Sequence, residues 1–118
     1  MAGTPSDVRT LYVTFPNDAE ASEICRTLVK EGLIACANAF PIWSVFQWEG
    51  KMEQPREVAA LLKTTTRSIP RLQRRIVELH SYDIPCIIVW GPEEGLPEYL
   101  AWVRQSVDGA RKDPRKGP

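Results

Sequence analysis

Leu33-Ile34-Ala35-Cys36-Ala37-Asn38-Ala39-Phe40-Pro41-Ile42-Trp43-Ser44-Val45-Phe46-Gln47-Trp48 reads as one extended segment of sixteen residues. Trp48-Glu49-Gly50-Lys51 follows as a turn, since glycine supplies the positive φ that a tight hairpin needs. Lys51 to Thr64 is then the returning strand, with Val58, Ala60 and Leu62 on one side and Lys63 on the other. Sixteen extended residues at about 3.3 Å each reach ~50 Å. A domain of this length has a radius of gyration near ~13 Å. The far half of the hairpin must therefore project beyond the sheet, carrying Phe40, Ile42, Trp43, Val45, Phe46 and Trp48. An exposed apolar ribbon invites pairing along its edge. Another copy of the same chain is the simplest partner, so the segment predicts a closed homo-oligomer joined through these hairpins, with Trp43 and Phe46 at the interface.

The flanks supply the rest of the fold. Leu11, Val13 and Phe15 alternate with Tyr12 and Thr14, which predicts a strand ended by Pro16-Asn17. Asn17 and Glu20 have capping-box spacing, with Asn17 accepting from the helix amides and Glu20 reaching back. Ala21, Ile24, Cys25, Leu28 and Val29 mark one helical face, closed by Gly32. Ser68 and Pro70 suit the start of a second helix, whose inner face is Ile69, Leu72, Ile76 and Leu79. Pro85 to Trp90 is short and continuously apolar, the pattern of a central buried strand. Pro97 opens a last helix with Leu96, Tyr99, Leu100, Val103 and Val107 inward. The order βαββαβα predicts an α+β, ferredoxin-like antiparallel sheet with helices on one face. Residues 9–107 form its single domain, and 1–8 and 108–118 read as disordered ends.

Composition removes several functions. The 118 residues carry 15 Lys+Arg against 15 Asp+Glu, a formal net charge of zero. A nucleic-acid binder working by bulk charge needs a basic excess, and a polybasic membrane anchor needs the same. The longest wholly apolar run is Cys86 to Trp90, far short of the ~20 residues of a spanning helix. Met1 to Thr10 has no apolar stretch, so no secretory leader is expected. Three cysteines cannot all pair within one chain, and none has CxxC spacing. The expected compartment is the reducing cytoplasm.

Few residues remain to carry chemistry. Cys36 sits among small neighbours, which suit tight packing or access for something bulky. Cys25 and Cys86 read as core. His80, the single histidine, ends the second helix, where it either favours the helix dipole or serves a site. A thiolate with an imidazole suits a soft or borderline ion such as copper or zinc, held sparsely and shared between subunits. Lys63, on an otherwise apolar strand, either guards an edge or holds an anion such as phosphate or carboxylate in a cleft. Glu53 and Glu57 are placed to pair with Lys63 or Arg56. Neither a P-loop nor GxGxxG is present, and no serine has a nucleophile-elbow context, so no enzyme is expected.

Taken together, Ile34-Ala35-Cys36-Ala37-Asn38, Ser44-x-Phe46-x-Trp48-Glu49-Gly50-Lys51, Glu57, Leu62-Lys63-Thr64, His80-x-Tyr82-x-x-Pro85 and Tyr99-Leu100-x-Trp102 resemble the CutA family, the divalent-cation tolerance proteins. The resemblance spans about Arg9 to Val107. It implies a ferredoxin-like subunit in a homotrimer, binding of copper or another divalent metal, and a role in metal tolerance. It also implies an inter-subunit cleft near Trp48, Glu57, Lys63 and Tyr82, with Cys36 and His80 as soft ligands. The run His80-Ser81-Tyr82-Asp83-Ile84-Pro85-Cys86 places a thiol where the family commonly has a carboxylate, which favours a softer ion. The second expectation is a metal-independent trimeric sensor or scaffold that binds a small anionic effector in the same cleft through Lys63.

Overall fold

Alternation along Leu11, Val13 and Phe15 gives the first strand, β1 (Val8–Phe15), and sets the plane on which the rest is built. The structure, a computed structural model, describes residues 7–107. After β1 come α1 (Asp18–Lys30), β2 (Cys36–Trp43), β3 (Phe46–Trp48), β4 (Lys51–Glu53) and β5 (Arg56–Thr65). A single 3₁₀ turn leads into α2 (Ile69–Leu79), followed by β6 (Ile87–Trp90) and α3 (Pro97–Ser106). Four strands form an antiparallel sheet in the order β2-β5-β1-β6, and β3 pairs only with β4 in a two-stranded ribbon. The mixed α+β architecture is the one the periodicities predict.

Register decides which face each residue serves. Leu11 lies opposite Leu62, Val13 opposite Ala60 and Phe15 opposite Val58, so these side chains share one face. Ala21, Ile24 and Leu28 of α1 and Leu72 and Ile76 of α2 close over them, giving one core in which Leu11, Leu28, Ile34, Leu62, Leu72 and Ile76 are fully buried. Thr64 Oγ1 donates to the Leu33 carbonyl at 2.7 Å inside that core. The α1 end is fixed locally. Gly32 takes φ 73°, its amide meets the Val29 carbonyl at 3.0 Å, and the Leu33 amide reaches Leu28 at 3.0 Å. That pair of bonds satisfies the carbonyls a helix end leaves free.

The hairpin turn forms as expected, with Glu49 at φ 51° and Gly50 at φ 81°. Two successive positive φ values match the strands' own twist. The two long strands are each broken, however. Ser44-Val45 separates β2 from β3, and Gln54-Pro55 separates β4 from β5. Pro55 has no amide to give, and the two breaks face each other through one bond, Ser44 N–H to the Pro55 carbonyl at 2.9 Å. The outer ribbon is exposed throughout. The molecule accordingly measures 51 Å along its long axis, with a radius of gyration of 15.4 Å, above the ~13 Å of a compact chain this size.

Other expectations are corrected. Val8 belongs to β1 and is 1% exposed, so order begins earlier than residue 9; residues 1–6 and 108–118 lie outside the described residues. The apolar run before Trp90 is an edge strand, not a central one, and Ile88 and Trp90 are about half exposed. It is apolar on both faces because one packs on the core and the other belongs to an uncovered surface. Asn17 Oδ1 accepts from the Glu20 amide at 2.8 Å, but the Glu20 carboxylate does not return to Asn17; it accepts from the Ser81 amide at 2.9 Å. Leu96 faces solvent.

The helices do not share one face as expected: α1 and α2 cover the first, and α3 crosses to the second, which it covers only at one end. There α3 packs Val103 and Val107 on Val8 and Ala35, flanked by Tyr99, Leu100 and Trp102. Beyond α3 lie Tyr12, Phe40, Leu61, Ile88 and Trp90, which register places on this same side. Tyr12 and Trp90 stack at 5.6 Å, yet Phe40, Ile88 and Trp90 stay 41–50% exposed.

Candidate functional site

Where the ribbon leaves the sheet, a cavity of about 810 Å³ opens between the uncovered face, the ribbon and the loop after α2. Glu57, the second residue of β5 after the Gln54-Pro55 break, lines it and is 6% exposed. Ser44 Oγ donates to one carboxylate oxygen at 2.6 Å and Tyr82 Oη to the other at 2.6 Å. Burial, reinforced by the bond to Glu57, raises the Tyr82 phenol far above its ordinary value. Tyr82 therefore stays protonated and acts as the donor in this bond.

His80 holds Tyr82 in place. It caps α2, and its side chain is fully buried between Phe15 and Tyr82, with ring centroids 5.1 and 4.9 Å away. Nδ1 accepts the Tyr82 amide at 3.0 Å, so Nε2 carries the proton and donates to the Thr14 carbonyl at 2.8 Å. Both ring nitrogens are thus committed.

The residues singled out in the sequence separate into two groups. Trp48, Glu57 and Tyr82 line the cavity, together with Phe46. Lys63 and Cys36 lie outside it, opposite each other on β5 and β2. Lys63 Nζ donates to Asn38 Oδ1 at 2.9 Å. Cys36 Sγ meets the Tyr99 hydroxyl at 3.3 Å, and Tyr99 is pushed up to about 12, first by burial and then by that thiol. Thr14, which His80 touches, is opposite Ala59, whereas Cys36 is opposite Lys63. That is four residues along β5, about 13 Å. Within one chain, then, Cys36 and His80 do not meet, and His80 has no free lone pair for a metal. Among the described residues no group of three or more His, Cys, Asp or Glu side chains is placed to hold a metal ion. Trp43 is 66% exposed and stands on the ribbon side, away from this cavity. The expected pairing of Glu57 with Lys63 or Arg56 is replaced by its two hydroxyl partners.

The sequence pattern does not mark Ser44 and Thr14 as parts of the cavity wall, which they are. Cys86, which reads as core in the strand pattern and as a thiol at the family's carboxylate position, lines the cavity at the entry to β6, and burial raises its thiol. The serine lay inside the motif that carried the resemblance, so its spacing to Trp48 was the available signal.

The family model described as CutA1 divalent ion tolerance protein matches residues 9–106. The divalent-cation tolerance protein CutA of Thermotoga maritima is 43% identical over 97 residues, covering 82% of this chain and 96% of its own. A solved structure from Archaeoglobus fulgidus, described as the periplasmic divalent cation tolerance protein CutA, superposes with a TM-score of 0.82 at 38% identity. It covers 86% of this chain and 99% of its own. CutA from Xylella fastidiosa superposes with a TM-score of 0.84 at 36% identity, covering 87% and 100%.

Proposed function

The chain belongs to the CutA1 divalent ion tolerance family, and from that membership we propose that it acts as a homotrimeric, non-enzymatic binding protein in the response to divalent cations such as copper. Each subunit is of ferredoxin-like form, and the uncovered sheet face and the ribbon close against neighbouring copies. The observation that carries this reading is the half-exposed cluster of Phe40, Ile88 and Trp90 on a sheet face that α3 covers at one end only. Each such side chain gains roughly 1 kcal/mol when the remaining half is buried, taking ~1.5–3 kcal/mol for a whole one. A monomer would leave that gain unrealised and the patch exposed to aggregation.

In this reading the cavity around Glu57 is the ligand pocket of the assembled protein. Its carboxylates are Glu53, Glu57 and Asp83, and among the described residues no lysine, arginine or histidine lines it. A small anion therefore has no counter-charge here, and an effector bound through Lys63 belongs at the other end of the sheet. A copper-type ion would draw on Cys36 as a soft donor, completed by neighbouring copies, because His80 is committed to the fold. No helix among the described residues is long and apolar enough to cross a membrane, and three free cysteines suit a cytoplasmic setting. Titration of the purified protein with copper under competing chelator tests the metal part. Binding that weakens at acid pH and with Cys36→Ser, but not with Cys25→Ser, is the expected result. Equal affinity in wild type and Cys36→Ser removes Cys36 from the site.

A further inference from the structure

We propose that the Glu57 cavity binds an organic ammonium ion bearing N–H donors, an amine of the alkyl mono- or diamine class. The inference rests on the reading of this cavity as the ligand pocket. Buried carboxylates are ordinarily paired with a cation. Glu57 is 6% exposed, yet it forms no ion pair among the described residues, and Ser44 and Tyr82 meet it as neutral hydroxyls. Each carboxylate oxygen has two lone-pair positions. Ser44 fills one on the first oxygen and Tyr82 one on the second, so two acceptor positions remain.

The walls choose between cations. A divalent metal needs several convergent oxygen or soft donors, and none are assembled among the described residues. The cavity is also far larger than an ion: at about 810 Å³ it falls in the range of small-molecule sites. Trp48 and Phe46 supply aromatic faces, which attract a cation within about 6 Å of the ring. Glu53, from the ribbon, and Asp83, from the loop after α2, add a second and a third carboxylate to the lining. An ammonium group meets all three features: N–H donors for Glu57, charge for the acidic walls, and methylenes for the aromatic ones.

Calorimetric titration of the assembled protein with 1,4-diaminobutane tests this. Saturable binding that weakens with added salt is expected. Glu57→Gln, which keeps the shape and removes the charge, should lower affinity tenfold or more. Asp83→Asn, an exposed change that leaves the fold alone, should lower it severalfold, and Lys63→Met should leave it unchanged. Tetramethylammonium, which has the charge but no N–H, should bind at least tenfold more weakly. Absence of diamine binding, equal affinity in wild type and Glu57→Gln, or displacement of the diamine by magnesium or copper at equal concentration would overturn the proposal. The last result would mark the cavity as a metal site. A Glu57 already paired with a neighbouring copy's lysine or arginine would give the first. The mass of the same sample keeps the two readings apart: a trimer that ignores the amine overturns only the ligand class, whereas a monomer overturns the assembly.

Discussion

Replacing His80 by alanine should destabilise the subunit whether or not any metal is present. The side chain is fully buried, and its two nitrogens each satisfy a backbone group, the Thr14 carbonyl at 2.8 Å and the Tyr82 amide at 3.0 Å. Alanine orphans both. An unsatisfied buried polar group costs about 1–3 kcal/mol, so the pair amounts to roughly 2–6 kcal/mol. The lost contacts with Phe15 and Tyr82 add to this. For a domain of about 100 residues, 1 kcal/mol shifts the melting temperature by ~4–8 °C, so the drop should be at least ~8 °C. Circular dichroism melts, before and after exhaustive treatment with EDTA, make the comparison. His80→Gln, whose amide can donate to Thr14, should recover part of the loss. A His80→Ala melt within about 2 °C of wild type would refute the reasoning. So would a deficit that disappears once both proteins are stripped of metal, since the histidine would then act through an ion.

Gly50→Ala should loosen the ribbon alone, because φ 81° at that position disfavours any Cβ by about 1–2 kcal/mol although the space around it is open; hydrogen exchange should quicken at least about fivefold across Phe46–Glu53 and stay unchanged in β1. Burial raises the Cys25 thiol from its usual value near 9 to about 11, so iodoacetamide alkylation should climb nearly tenfold per pH unit up to that value instead of levelling off near 9. The stability this thiol contributes is present below pH 9 and fades as pH rises towards 11. Leu62→Ala, at a site with no exposure, should cost about 2–5 kcal/mol in a denaturant melt.

The hairpin was legible because length and turn chemistry are local: Gly50 announces the turn, and the distance from Leu33 to Trp48 forces projection. The core was legible too, since Leu11, Val13 and Phe15 alternate with period two and Ile24, Leu28, Leu72 and Ile76 recur with the helical period. The position of β6 was not. A strand apolar on both faces looks the same in sequence whether helical layers cover both sides or one side stays open, as it does at Ile88 and Trp90. The site failed to assemble on paper for a related reason. Cys36 and Lys63 face each other across β2 and β5, whereas His80 caps α2 beside Thr14 farther along the sheet; register is a tertiary property, so sequence could nominate them but not tell which share an end of the sheet. Glu20 shows the same limit at small scale: its capping-box spacing is met, but the carboxylate finds the Ser81 amide across the fold.

The closing of the uncovered face between copies is tested most directly by the solution mass of the wild type and of Ile88→Asp, measured by light scattering at micromolar concentration. Ile88 is 50% exposed in the single subunit, so the aspartate is compatible with the fold of one chain. Between subunits its carboxylate loses water, at a penalty of roughly 2–5 kcal/mol in each copy. The account predicts about 40 kDa for the wild type, three chains of 13.3 kDa, and a folded species of single-chain mass for the variant. A wild type that runs as one chain, or an Ile88→Asp protein that keeps the full trimer mass, would contradict it.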